Sequence, residues 1–256
     1  MKTFLNLGQF VVLIIIITFL IDLKNTAQGR DKAKVLFITG QGNTSTDHPY
    51  HHWKHDFPNH LFTLNNQDIA DFTIVEDLDD IGEFADFDLI INNSLFQSPD
   101  QQQFEEFLQA VENGVPYFAL HAGLVQFSKD SRYQELIGAQ YIHHDEIKTF
   151  TVQAYDAWYG WEASGKKRHP ITQGIDDFTV LDELYLMQPI TGDLQVIARA
   201  EWHPIMWIKQ WGEGEVIVLT LGHGAYSLKN PGFQQLFRNA LCWLTDRPVD
   251  ENRISS

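Results

Sequence analysis

The stretch YFALHAGL, residues 117–124, decides the fold. Its four leading apolar residues predict a short strand buried on both faces, and the histidine, alanine and glycine that follow predict a sharp turn into a helix. Many α/β enzymes place a nucleophile at such a turn, whereas here the position holds the imidazole of His121. A polar ring at the end of a buried strand needs hydrogen-bond partners. We therefore expect His121 to act as a general base or a metal ligand, since neutral imidazole suits both roles near pH 7.

Further apolar runs on either side of this stretch predict the rest of the sheet. Strands alternate with a helix that Ser98 and Pro99 start and Gly114 ends, and this alternation favours a parallel sheet covered by helices on both faces. Residues 141–211 carry strand-like runs with little helical periodicity, which predicts an antiparallel extension beside the parallel core. A C-terminal helix is expected over 233–244. The predicted core strands are 34–39, 72–75, 87–91, 115–120 and 215–221.

Polar residues follow several of these strands where each one ends. Gln41, Asn93, His121 and His223 all occupy such positions. Ligands of parallel α/β sheets bind beyond the carboxyl ends of the strands, so we expect these side chains to line one cleft. The glycines around Gln41 lack the spacing of a phosphate-binding loop, and they could equally serve only to make the turn.

The chain contains 11 histidines, many of them clustered. Imidazoles combined with carboxylates suit zinc, manganese, iron or nickel, so a divalent metal ion held by His121, His143 and His223 is one hypothesis. A His-Glu-x-x-His helix motif is missing, and the histidines of residues 48–55 could equally belong to a solvated loop.

The first thirty residues differ from the rest. An early Lys2 precedes the apolar run 10–21, which is shorter than the roughly 20 residues that a membrane-spanning helix needs. Residues 1–30 therefore read as a signal peptide, with an uncleaved N-terminal membrane anchor as the alternative, and either predicts an exported protein. The formal net charge of −16 argues against a nucleic-acid partner, and the single cysteine, Cys242, excludes an intramolecular disulfide.

Five motifs in this order resemble the ThuA-like family, named for trehalose utilisation. They are LHAG (120–123), LIGAQYIHHD (136–145), HPITQGIDDFTVLDELY (169–185), HPIMWIKQWGEGEVIVLTLGHG (203–224) and NPGFQQLFRNALCW (230–243). The resemblance implies a flavodoxin-like, class I glutamine amidotransferase-like domain over 34–246, followed by a polar tail, 247–256. Amidotransferases carry their catalytic cysteine at the turn where this chain has His121, so cysteine-dependent glutaminase chemistry is not expected. Glu215 departs from the basic residue that is usual near that position of the family.

The same resemblance implies a protein of carbohydrate metabolism with a small-molecule sugar as its partner, and residues 1–30 add the expectation that it is exported. We expect hydrolysis, elimination or isomerisation of a small sugar or keto-glycoside, and the alternative is a sugar-binding module without catalysis. His121, His223 and Glu183 would be catalytic. Asp182 and Glu183 could accept sugar hydroxyls or bind a metal, or could only form a turn. The residues expected to bind the substrate are Gln41, His52, Trp53, Asn93, Asp182 and Trp158, the last as an aromatic platform for a sugar ring.

Overall fold

The apolar runs of the sequence form a parallel sheet. The computed structural model describes residues 31–40, 65–75, 81–95, 100–127, 129–154 and 169–249. Five parallel strands lie side by side in the order β2-β1-β3-β4-β11. Four of them are almost wholly buried, as expected for a sheet that is covered on both faces, whereas the edge strand Ala70–Val75 has three exposed residues. These strands are β1 (Ala33–Ile38), β2 (Ala70–Val75), β3 (Leu89–Asn92), β4 (Tyr117–Leu120) and β11 (Gly214–Leu219).

Four antiparallel strands extend this sheet beyond β11, which gives nine strands among the described residues. The extension runs in the order β10 (His203–Trp211), β9 (Gln195–Ala200), β6 (Lys148–Gln153) and β7 (Phe178–Asp182). The strands β5 (Ala139–His144) and β8 (Tyr185–Pro189) pair with each other in a separate antiparallel sheet. The predicted α/β fold with an antiparallel extension is therefore confirmed.

Helices cover both faces of the large sheet. Tyr117 and Phe118 are neighbours on β4 and point to opposite faces: Tyr117 packs edge-on against Phe107, with ring centroids 4.9 Å apart, and Phe118 stacks on Phe237 at 5.5 Å. Phe107 belongs to one helix and Phe237 to another, so each face has its own core. The helices are α1 (Gln101–Glu112), α2 (Gly123–Gln126), α3 (Ser131–Ile137), α4 (Ala225–Leu228) and α5 (Pro231–Leu244).

Local side-chain hydrogen bonds set the ends of the longer helices. Asp100 accepts a hydrogen bond from the backbone of Gln103, whose side chain bonds back to the Asp100 amide, so α1 starts at a capping box. The predicted cap, Ser98, lies outside the described residues. Asn230 caps α5 by accepting from Gly232 and Phe233. That helix begins two residues before the predicted 233–244, because proline suits its first turn.

The structure leaves other parts of the chain undescribed. The sequence also predicts a helix over residues 53–64, which falls outside the described ranges, as do residues 1–30. Within those ranges, none of the helices is long and apolar enough to cross a membrane.

Candidate functional site

His121 sits at a strained turn between β4 and α2. Its φ is +38°, a region that costs side-chain-bearing residues about 1–3 kcal/mol. The turn is held by the main chain, since the His121 amide donates to the Leu219 carbonyl at 2.9 Å. Gly123 permits the close approach of this turn to β3, because a Cβ there would lie 2.1 Å from the Asn92 carbonyl oxygen. The sharp turn predicted from residues 117–124 is therefore present, with the imidazole at its apex.

The hydrogen bonds of the His121 ring fix its tautomer. Nδ1 lies 2.8 Å from the Thr220 carbonyl oxygen, which can only accept, so Nδ1 carries the proton. In the neutral ring Nε2 then presents a lone pair. It lies 3.6 Å from Glu183 Oε2 and 3.3 Å from the Tyr185 hydroxyl. The ring is fully buried, so the protein determines which way this lone pair points.

Glu183 is the centre of the site, because its two carboxylate oxygens meet three imidazoles. Oε2 lies 3.0 Å from His223 Nδ1 and 3.6 Å from His121 Nε2, while Oε1 lies 3.5 Å from His144 Nδ1. Burial raises the pKa of Glu183, but the His223 hydrogen bond and the charges of the three histidines outweigh it and lower that pKa below its usual range. Glu183 is therefore a carboxylate at neutral pH.

Asp182 supports the site from behind. Its carboxylate accepts hydrogen bonds from the backbone amides of Glu183 (2.8 Å), Gly222 (2.8 Å) and His223 (3.1 Å), and from the Ser227 hydroxyl (2.5 Å). Burial raises the pKa of this carboxyl, although all four hydrogen bonds oppose the shift. Only 1% of Asp182 is exposed. In the structure, the Asp182 carboxylate joins the end of β7 to the turn that carries His223. Its contact with a substrate stays a prediction.

The histidine that β5 contributes to the cluster is His144. Its Nδ1 donates to the Asp145 carbonyl at 2.9 Å and lies 3.5 Å from Glu183 Oε1. The neighbouring His143 is exposed, and among the described residues it makes no ion pair with Glu183. A register shift between Tyr141 and His143 precedes both. The structure therefore does not bring His143, the predicted metal ligand, together with His121 and His223.

Tyr185 is a member of the site that the sequence reasoning did not identify. Its ring lies against His121, with centroids 4.5 Å apart, and stacks on His144 at 5.8 Å. Burial first, and then the charge of Glu183, raises the pKa of Tyr185 well above its usual value, so the hydroxyl keeps its proton and donates to His121 Nε2. The available signal was its spacing: residues 183 and 185 are two apart, and positions two apart in an extended segment face the same side.

A metal ion could be held by the buried part of this cluster. Among the described residues, His121, Glu183 and His223 each offer one donor atom, and these atoms all lie within 4.8 Å of one another. Two imidazoles and one carboxylate form a donor set that suits zinc and other divalent transition metals.

The remaining predicted site residues are either separate from the cluster or outside the described residues. Asn93 follows β3 as expected and is fully buried. Its backbone N–H donates to the Ile38 carbonyl at 2.8 Å. Its side-chain amide atoms have no hydrogen-bond partner among the described residues. The predicted substrate contacts that lie outside the described residues are Gln41, His52, Trp53 and Trp158.

Comparisons with known proteins agree with this architecture. A family model described as ThuA, trehalose utilisation, matches residues 34–244. The structure of a ThuA-like protein from Parabacteroides merdae is 18% identical, with a TM-score of 0.70 over 86% of this chain and 92% of that chain. One from Bacteroides uniformis is 17% identical, with a TM-score of 0.64 over 84% and 93%.

A β-galactosidase from Bacillus circulans sp. alkalophilus shares the fold over 87% of this chain but only 32% of its own, with 13% identity and a TM-score of 0.55. A comparison with curated proteins gives no match. At these identities the solved structures establish the fold alone.

Proposed function

This chain belongs to the ThuA family, which is associated with trehalose utilisation and so with carbohydrate metabolism, and from that membership we propose that it processes a small sugar or keto-glycoside at the cluster of His121, Glu183 and His223. The reaction that suits these groups is removal of a proton beside the carbonyl of an oxidised sugar. One observation carries the proposal: two imidazoles from distant parts of the chain, those of His121 and His223, converge on a single carboxylate oxygen of Glu183.

The chemistry of the cluster matches what such a reaction requires. A base must take the proton from the carbon beside the carbonyl, and positive charge must stabilise the oxygen on which the electron pair then rests. The site combines an ionised carboxylate with imidazoles, since Glu183 Oε2 lies 3.0 Å from His223 Nδ1 and 3.6 Å from His121 Nε2, so a base lies beside rings that become cationic when they take up a proton. From the enolate, loss of a substituent gives elimination, and return of the proton to a different carbon gives isomerisation.

The exposure of the cluster supports entry of the substrate from the side of His144. The side chains of Glu183 and His223 are 9% and 8% exposed, and that of His144 is 40% exposed, whereas His121 has no exposed side-chain surface. A sugar would therefore approach past His144 and Tyr141, whose rings lie 6.4 Å apart. Glu183 and His223 would be the first members of the buried trio that it meets.

The test uses the full-length protein with trehalose, other small disaccharides and their singly oxidised ketone forms. Deuterium uptake from D₂O at the carbon beside the ketone and product formation are followed by mass spectrometry. We expect both for at least one ketone sugar, and we expect Glu183→Gln to lower kcat/KM by about 100-fold or more, whether the carboxylate takes the proton itself or holds a metal ion that polarises the carbonyl. Asp177→Asn is the matched control, since it removes the same charge from an exposed position.

The outcomes separate catalysis from binding. Saturable sugar binding without exchange or turnover would overturn the catalytic proposal and favour a sugar-binding module. Exchange that is unchanged in Glu183→Gln would refute the assigned site.

We also propose that the protein is exported, because residues 1–30 contain an early lysine, Lys2, followed by the short apolar run 10–21, as signal peptides do. N-terminal sequencing of the protein after cell fractionation tests this proposal. A processed chain outside the cytoplasm would indicate a signal peptide, and an intact chain in the membrane fraction would indicate an anchor. Recovery from the cytoplasm alone would refute export.

A further inference from the structure

We propose that His121 Nε2, Glu183 Oε2 and His223 Nδ1 bind one divalent transition-metal ion, with zinc as the best match. The sequence-based hypothesis of a metal site named His143, and we infer Glu183 in its place, because its carboxylate oxygen lies between the two imidazoles. The three ligands come from the turn after β4, the end of β7 and the turn after β11. This proposal rests on the geometry of these groups and stands whether or not the substrate is a sugar.

The distances between the donor atoms fit a common metal ion. Zinc lies about 2.0–2.2 Å from nitrogen and carboxylate oxygen ligands in tetrahedral sites, which places two ligands of one ion roughly 3.4 Å apart. Glu183 Oε2 lies 3.0 Å from His223 Nδ1 and 3.6 Å from His121 Nε2, one just below and one just above that separation. The cluster therefore needs shifts of only a few tenths of an ångström for these two pairs to share an ion.

The surroundings of the ligands orient them as a metal site requires. A histidine ligand commonly donates its other ring N–H to a backbone carbonyl, which turns the unprotonated nitrogen towards the ion. His121 has this arrangement, because Nδ1 donates to the Thr220 carbonyl at 2.8 Å and Nε2 faces Glu183, so that an ion would replace the Tyr185 hydroxyl as the partner of the Nε2 lone pair. Asp182 fixes the other two ligands at their backbones, since it accepts from the amides of Glu183 and His223.

The number and type of ligands indicate a reactive ion. Two histidines and one carboxylate supply three positions, and catalytic zinc sites keep the fourth open for water or substrate. Glu183 Oε1 is the carboxylate oxygen turned towards His144, so the partly exposed face of the cluster lies on that side. The chemistry that such an ion supplies is that of a Lewis acid, which polarises a carbonyl oxygen.

The first test measures metal content without any substrate. Full-length protein is dialysed against zinc, manganese, iron or nickel salts and analysed for bound metal. We expect about one equivalent per chain for zinc. His121→Ala and His223→Ala should each weaken binding by more than about 100-fold, beyond the ~10–100-fold typical of residues that only orient a ligand. His143→Gln is the matched control, because His143 is exposed, and it should retain full stoichiometry.

A second measurement covers the case in which an alanine variant fails to fold. The thermal unfolding temperature of the wild-type protein should rise with added zinc and fall with a chelator, because an ion that binds only the folded state stabilises it by mass action. His143→Gln should show the same response and Glu183→Gln should lose it. A wild-type protein that takes up none of the four metals, or uptake that survives both alanine variants, would overturn the proposal. A metal site without sugar turnover would leave this inference standing and refute only the proposed reaction.

Discussion

Replacement of Asp182 by asparagine should loosen the turn that carries His223. The carboxylate accepts four hydrogen bonds, two on each oxygen. An asparagine offers one oxygen and an NH₂ group in the same space. If the NH₂ group takes the place of Oδ2, the Ser227 hydroxyl can rotate and accept from it, but the Gly222 amide loses its acceptor and meets a donor.

The magnitude follows from these contacts. One buried donor left without a partner costs about 1–3 kcal/mol, and the remaining bonds weaken when their acceptor loses its charge. We expect Asp182→Asn to lower the free energy of unfolding by about 3 kcal/mol, or the melting temperature by roughly 6–12 °C at ~2–4 °C per kcal/mol for a domain of this size.

Urea denaturation followed by tryptophan fluorescence, together with calorimetry, measures the change. Asp177→Asn is the matched control, because it removes the same charge from an exposed carboxylate and should leave the melting temperature almost unchanged. A decrease below about 2 °C in Asp182→Asn, less than one buried hydrogen bond is worth, would refute the reasoning. Zinc affinity measured on the same variant should fall by ~10–100-fold, as for other residues that orient ligands.

Two further substitutions test the fold around the site. Gly123→Ala places a Cβ 2.1 Å from the Asn92 carbonyl oxygen, so the free energy of unfolding measured in urea should fall by at least the ~1–3 kcal/mol of an overpacked core. Gly192→Ala meets open space and should leave that free energy almost unchanged; equal effects of the two variants would contradict the steric argument. Burial raises the pKa of Glu215 despite its hydrogen bond from Trp243, so its stability contribution is complete below its unfolded pKa and is lost as pH rises through the folded pKa. The stability of Glu215→Gln relative to the wild type should therefore rise between acid and neutral pH, which unfolding measured over a pH series checks; a difference between the two proteins that does not change with pH would refute it.

The parallel half of the sheet could be predicted because its physics is local. Strands buried on both faces are short apolar runs, and the turn residues that end them are visible in one dimension. The errors lie at the ends of elements. The strand predicted over 115–120 begins at Tyr117, since Pro116 lacks the N–H that a ladder needs.

The members of the site were only partly predictable. His121 and His223 follow buried strands, so the position of each in the chain already marks it. The choice between His143 and His144 depends on an irregularity in β5, where the register against β8 shifts between Tyr141 and His143. Alternation along a strand has a period of two, and a single register shift exchanges the two faces without any sign in the composition.

The role of Asp182 could not be read from its neighbours in sequence. Its hydrogen-bond donors include Gly222 and Ser227, which lie 40 and 45 residues further along the chain. The sequence left a ligand-binding carboxylate and a turn-forming one as equal alternatives, and the contact across this separation adds a supporting role that neither alternative contained. Tyr185 was hidden for a related reason, since a buried aromatic residue is more often a core residue than a functional one.

The positive φ of His121 has a consequence for selection experiments. In a library that varies this codon, a screen for expression or heat resistance should enrich glycine and asparagine, which adopt this backbone conformation at lower cost. A screen for function should return histidine. The two rankings would diverge at this position, as they do wherever stability and activity conflict. Stabilising consensus designs built on this scaffold would therefore have to exclude codon 121 to keep the protein functional.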